Sequence, residues 1–290
     1  MPRHFLTGDE LTGEMLARLL ARAQELKADR LASRALAGKS VAIVFEKPST
    51  RTRVSFEVGI SELGGTPVVL RADETQLARG EPPRDFAQVL SRYVSAIGLR
   101  TGPHALVKEI AAHSRVPVFN MLTSSHHPCQ ALADLLTLKE RFGRLEGLRL
   151  VYVGDGNNVA RSLMLLGEMA GVEVVVATPA ALAPEPAGAA RLTTDAPEAA
   201  AGAHALYTDV WISMGDEDGD GKRELLAPYR IDEELLGRAR EDAVALHCLP
   251  AHAGEEITEG VLYGKRSAVW DQAENRLHAQ KALLEWMTAE

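Results

Sequence analysis

Apolar positions along this chain alternate between short continuous runs and longer stretches spaced by three and four residues. Leu11, Met15, Leu19, Ala23 and Leu26 keep the longer spacing and predict a helix over Leu11–Leu36. Val41–Phe45 is a run of the length and composition of a buried strand. Val54, Val58 and Leu63 restore the helical period over Thr50–Leu63, which Gly64-Gly65 ends. Thr66–Arg71 is the next strand, so the opening is a strand–helix–strand unit and implies a parallel sheet. Ala72–Pro83 is polar and loop-like. A helix (Asp85–Val94), a strand (Ala96–Leu99), a helix (Ala105–His113) and a strand (Val116–Asn120) follow.

Pro128 suits the first position of a helix, and the pattern carries that helix to Phe142. The alternation then restarts with a strand at Leu148–Val153, a helix at Val159–Met169 and a strand at Val172–Ala177. Pro179–Ala190 reads as a surface segment, helical in part. Ala205–Thr208 and Val244–His247 are later strands, Gly215–Gly221 is an acidic glycine-rich loop, and a last helix covers Gln272–Met287. The fold class expected is α/β, with two doubly wound parallel-sheet halves. The first spans residues 1–135 together with the last helix, 272–290, and the second spans 136–271. In such folds ligands sit at the carboxyl ends of the strands, and a cleft between the halves is the expected site.

Composition narrows the function more than the fold. The chain has 290 residues, enough for two α/β halves with a sizeable core, and a formal net charge of -8. That surface does not invite nucleic acid or anionic membrane, so an anionic substrate needs a locally basic pocket. The N-terminal residues lack the apolar core of a signal peptide, and no apolar run reaches membrane-spanning length. Cys129 and Cys248 are the only cysteines, too few for a disulfide scaffold. A soluble cytoplasmic protein is the expectation.

Five segments carry candidate chemistry. Ser49-Thr50-Arg51-Thr52-Arg53 opens a helix directly after a strand. Hydroxyls, guanidinium groups and the outward N–H groups of the first turn make an anion site there, suited to phosphate. Arg51 is the better ligand contact, and Arg53 is placed to pair with Glu57 one turn on. His126-His127-Pro128-Cys129-Gln130 could suggest a metal, but no second cluster sits at a zinc spacing, and no metal is expected. His127 and Gln130 instead offer hydrogen bonds for a carbonyl and an amide, with Cys129 a packed thiol.

Gly154-Asp155-Gly156-Asn157-Asn158-Val159 imitates a dinucleotide fingerprint. Val159 fills the third glycine position and no acidic residue ends the following strand, so a nicotinamide cofactor is not expected, and no other cofactor is either. Asn158 remains suited to a carboxylate or an amino group. Asp209 through Ser213-Met214-Gly215 is either a mobile acidic loop or a receptor for a cationic amine. His247-Cys248-Leu249-Pro250 could supply a buried thiol, a nucleophile or a polar wall, and its Leu-Pro bond could be cis or trans.

Taken in order and spacing, these segments resemble the ornithine carbamoyltransferases over nearly the whole chain. Ser49–Thr52 and His127–Gln130 alone indicate a carbamoyltransferase. The Ser213-Met214-Gly215 loop with His247–Pro250 points to ornithine. The resemblance implies two doubly wound domains joined by two long interdomain helices, and a homotrimer or a multiple of trimers. It implies transfer of a carbamoyl group from carbamoyl phosphate to L-ornithine, as in arginine biosynthesis. By resemblance Ser49, Thr50, Arg51 and Thr52 hold the phosphate, and Gln76 reaches a neighbouring subunit's site. Arg100, His127, Gln130 and Arg276 contact carbamoyl phosphate. Asn158, Asp209, Ser213 and Met214 contact ornithine, and Cys248 and Leu249 flank the reacting centre and count among the carbamoyl phosphate contacts. Arg51, Arg100, His127 and Cys248 are the catalytic candidates. The competing readings are a carbamoyltransferase for putrescine or an acylated ornithine, and a non-catalytic metabolite-binding relative.

Overall fold

A computed structural model describes residues 2–212 and 219–289. The chain divides into two compact units: Met1–Ala133 with Asn275–Glu290, and Asp134–Glu274. In the first, α1 (Gly13–Ala28) starts at Thr12, whose hydroxyl accepts from the Met15 N–H. The helix stops at Ala28, well short of the predicted Leu36. Asp29 takes an extended conformation, and its carboxylate accepts from the Leu31 N–H, a local turn that competes with the helix.

The rest of this unit is β1 (Ser40–Phe45), α2 (Thr50–Glu62), β2 (Thr66–Arg71), α3 (Pro83–Leu90), β3 (Ala96–Arg100), α4 (His104–His113) and β4 (Val118–Leu122). Two short 3-10 turns, Ala72–Glu74 and Gln76–Arg79, fill the expected loop. The chain passes into the second unit within α5 (Pro128–Phe142).

The second unit holds β5 (Arg149–Val153), α6 (Asn158–Met169), β6 (Glu173–Ala177), β7 (Arg191–Thr193), α7 (Ala196–Ala200) and β8 (Ala205–Thr208). It continues with α8 (Gly219–Leu226), α9 (Glu233–Arg238), β9 (Val244–His247) and α10 (Glu259–Leu262). The chain returns to the first unit within α11 (Val269–Thr288). Residues 219–221 of the expected glycine-rich loop therefore begin a helix, and residues 215–218 lie outside the described residues. Among the described residues no helix is long and apolar enough to cross a membrane.

Both sheets are parallel throughout. The first runs β2-β1-β3-β4 and the second β7-β6-β5-β8-β9. Each is doubly wound. The order reverses between β1 and β3 in one unit and between β5 and β8 in the other, and a crevice opens at the carboxyl ends of such strand pairs. The cores lie under the sheets: Ala42, Val44, Ile97, Leu99 and Val118 with the α3–α4 side chains in the first, and Val151, Val153, Val175, Leu206 and Ala245 with Trp211 in the second.

Gly98 shows how tight the first core is. A methyl group there would come within 2.4 Å of the Phe119 ring, which itself lies 5.1 Å from the ring of Phe56 on α2. Gly98→Ala is expected to destabilise the protein by about 1–3 kcal/mol, the usual cost of an overpacked core. Urea unfolding of the variant beside the parent reads that difference.

Candidate active site

The described candidate residues other than Gln76 fall into two sets, one in each unit, and both sets gather where the strand order reverses. In the first unit, Phe45 at the end of β1 pairs in register with Arg100 at the end of β3. The chain leaves β1, turns through residues 46–48 and enters α2 at Ser49. The Ser49 hydroxyl accepts from the Thr52 N–H at 3.4 Å and caps the helix. Thr50 and Arg51 stand exposed on the first turn, and Thr52 is buried. Arg53 pairs with Glu57 at 3.2 Å, the structural role expected of it.

Thr52 is the centre of this set. Arg276 donates from Nη2 to its hydroxyl at 2.8 Å, and Arg100 donates from Nη1 at 3.4 Å. Arg276 also donates from Nη1 to Gln130 Oε1. All four side chains are buried. Two buried guanidinium groups that converge on one hydroxyl make a basic basin suited to an arriving anion. His127, also buried, lies in the field of both arginines. Burial, with Arg276 and Arg100 adding to it, holds its imidazole well below the ordinary 6.5, so it is neutral at physiological pH. Cys129 is packed as expected: its thiol donates to the Asn120 carbonyl, and burial pushes it up to about 12. Gln76 stands apart, exposed on a 3-10 turn of the same unit.

In the second unit, β5 leads through Gly154, Asp155 and Gly156 into α6. Gly154 sits at φ 134°, open to glycine, and a methyl group on Gly156 would fall 2.2 Å from the Leu182 carbonyl oxygen. The two glycines thus have steric reasons to be there that involve no dinucleotide. Asn158 is half-buried on the first turn of α6.

Asp209 follows the end of β8 and is buried. Its Oδ1 accepts from the Cys248 thiol at 2.8 Å and its Oδ2 accepts from Asn157 Nδ2 at 2.9 Å. Cys248 follows the end of β9. Leu249, next in the chain, is the one non-glycine among the described residues with positive φ, 58°, and its bond to Pro250 is cis. The Leu249 N–H donates to His247 Nδ1, which places the ring proton on Nε2, where Glu256 Oε1 accepts it at 3.0 Å. Ser213 and Met214 lie outside the described residues.

Asp209, His247 and Cys248 each offer a ligand atom within 4.8 Å of the others. Those atoms already bond to one another's neighbours, and a cation there would have to displace the bonds just described. The structure therefore joins Thr52, Arg100, Gln130 and Arg276 in one set and Asp209 and Cys248 in another. Asn157, Tyr152 and Glu256 belong to the second set and were not anticipated. For Asn157 a signal existed, since asparagine after glycine at a strand–helix junction favours a cap.

Comparison with known proteins matches both units. The family described as "Aspartate/ornithine carbamoyltransferase, carbamoyl-P binding domain" matches residues 3–140. The one described as "Aspartate/ornithine carbamoyltransferase, Asp/Orn binding domain" matches residues 146–287. An ornithine carbamoyltransferase of Acidothermus cellulolyticus is 55% identical, over 99% of this chain and 97% of its own. The solved ornithine carbamoyltransferase of Pyrococcus furiosus superposes with a TM-score of 0.93 at 45% identity, over 98% of this chain and 96% of that one. That of Thermus thermophilus gives 0.93 and 45%, over 99% of each chain.

Proposed function

The chain belongs to the aspartate/ornithine carbamoyltransferase family, and from that premise we propose that it moves the carbamoyl group of carbamoyl phosphate to the side-chain amine of L-ornithine, giving L-citrulline and phosphate. The observation that carries this reading is the buried convergence of Arg100 and Arg276 on Thr52 at the start of α2. A phosphorylated carbonyl compound presents an anion and a polarisable oxygen together, and this basin offers partners for both.

The phosphate lies with Ser49, Thr50, Arg51 and Thr52 and the N–H groups of the first turn of α2. The carbamoyl end lies with Arg100, His127, Gln130 and Arg276. Ornithine takes Asn158, Asp209, Ser213 and Met214, with Cys248 and Leu249 beside its reacting amine. That amine resembles a lysine, with a pKa of about 10.4, and must shed a proton before it attacks. Its nitrogen bonds to the carbamoyl carbon, the carbonyl oxygen gains charge, and the carbon–oxygen bond to phosphate breaks. The amine loses its first proton to solvent, and the second, carried by the nitrogen once it is bonded to carbon, goes to the departing phosphate. Arg100, Thr52 and the neutral imidazole of His127 stabilise the oxyanion, usually the largest catalytic contribution. Holding both reactants in place is worth up to about 7–11 kcal/mol where alignment is good. Cys248 forms no acyl intermediate in this scheme.

The same reading makes the protein a cytoplasmic enzyme of arginine biosynthesis that works as a homotrimer or a multiple of trimers, with Gln76 extended towards a neighbouring copy. The test of the reading is ureido-product formation from carbamoyl phosphate with ornithine, putrescine or an N-acylated ornithine as acceptor. Ornithine is expected to give by far the highest kcat/KM. Preference for putrescine or the acylated amine overturns the acceptor assignment, and no product with any of them overturns the activity.

A further inference from the structure

Asn157 has two jobs, and only one of them needs an asparagine. As the N-cap of α6 its Oδ1 accepts from the N–H groups of Val159 at 2.9 Å and Ala160 at 3.3 Å. Any side chain with a well-placed oxygen can do that. Among the described residues, other side-chain caps include Thr12, Ser49, Asp195, Asp232 and Thr258. An aspartate would also suit the positive end of a helix dipole. What the amide adds is its Nδ2 donor, and that donor is spent on Asp209 Oδ2 at 2.9 Å.

The direction of this amide is chemically determined. Three donors point at its oxygen: the two helix N–H groups and the Tyr152 hydroxyl at 3.1 Å. Burial, with Asp209 the foremost charge adding to it, pushes the Tyr152 phenol well above its ordinary 10.0, so it stays a donor. A carboxylate faces the amide's nitrogen. Turning the amide over would set donors against donors and an oxygen against a carboxylate. The backbone of α6 thereby fixes the amide, and the amide fixes one oxygen of Asp209. The other oxygen is left to the Cys248 thiol. The chain of contacts runs from a helix terminus to the acid–thiol pair with no flexible link in it.

We propose that Asn157 is a positioning residue: it sets the rotamer of Asp209, and through it the Asp209–Cys248 pair, for the cationic amino-acid substrate. This rests on the carbamoyl-transfer reading for its kinetic consequence but not for its structural one. Asn157→Asp keeps the cap oxygen and replaces the donor with a second carboxylate facing Asp209. Asn157→Ser keeps a cap and simply removes the donor. A residue that only capped α6 would tolerate both.

The experiment has two arms. In the first, steady-state kinetics are measured for the parent and both variants, each substrate varied in turn. The KM for ornithine is expected to rise at least tenfold in Asn157→Asp and several-fold in Asn157→Ser. The KM for carbamoyl phosphate should stay within twofold, and the thermal midpoint of Asn157→Ser should stay close to the parent's. In the second arm the unliganded proteins are treated with iodoacetamide, and peptide mass spectrometry follows Cys248, with buried Cys129 as the internal control. Freeing Asp209 loosens its bond to the thiol, and Cys248 alkylation should accelerate at least threefold in Asn157→Ser, which adds no charge. This arm does not need turnover. Failure of the carbamoyl-transfer reading shows as a parent protein that makes no citrulline, whatever the alkylation does. Parent-like alkylation in Asn157→Ser overturns the positioning role. So does parent-like ornithine saturation in an active enzyme.

Discussion

Arg51→Ala lowers kcat/KM for carbamoyl phosphate by about 10²–10³-fold, the scale seen when one preorganised donor is removed from developing charge. The physical case rests on where Arg51 stands. It is exposed on the first turn of α2 and carries no ion pair among the described residues, whereas Arg53, two residues on, is tied to Glu57. Removing its side chain takes nothing from the fold, so stability should be unchanged and the loss should be chemical. In the proposed reaction phosphate leaves with added charge, and the helix N-terminus and a planar guanidinium both favour that charge. The loss should therefore fall on kcat as well as on carbamoyl phosphate saturation, with ornithine saturation nearly unaffected. Arg53→Ala, by contrast, should cost little, because an exposed pair one helical turn apart contributes about 0.3–0.5 kcal/mol. A comparison of the two variants separates a phosphate cradle from a merely basic helix start.

Asp209→Asn raises the KM for ornithine by about 10- to 100-fold, the value of a hydrogen bond to a charged group lost from a buried site. Shape is preserved in this variant, since asparagine is nearly isosteric. The change is in charge and in hydrogen-bond polarity. One amide can no longer accept from both the Cys248 thiol and Asn157 Nδ2, as the carboxylate does. A cationic amino group loses its counter-charge at the same time. Carbamoyl phosphate saturation should change little, because the ligands of its phosphate belong to the other set. Initial-rate measurements with each substrate varied in turn read both effects, and a rise in both KM values would contradict the division into two sets.

The parts of the molecule that were legible in the sequence are those written in consecutive residues. Val41–Phe45 followed by Ser49–Arg53 announces a strand, a helix cap and a candidate anion-binding turn in consecutive residues, and the structure has the strand and the cap. The alternation of runs and helical spacings was enough for two parallel α/β units. Where the pattern misleads, a local competitor wins: Asp29 stops α1, and Gly219 and Gly221 suit a loop although they open α8. β7 escaped notice because its three residues are exposed or half-buried and present no apolar run.

The centre of the first set could not be read from pattern. Thr52 meets Arg100 across 48 positions and Arg276 across 224, and nothing in periodicity or spacing links them. Only the resemblance to a family brought those residues together. Asn157 was overlooked for the opposite reason. Its cap role is ordinary, and its second bond, to Asp209, is visible only once β5 and β8 lie side by side.

The most direct test of the whole account is to follow a labelled carbamoyl group. Purified protein is given carbamoyl phosphate carrying carbon-13 with L-ornithine, and the label and phosphate are measured together. Labelled citrulline and phosphate are expected in equal amounts, formed by the protein only when both substrates are present. Phosphate released without labelled citrulline, or label transferred to another amine in preference to ornithine, would contradict that expectation.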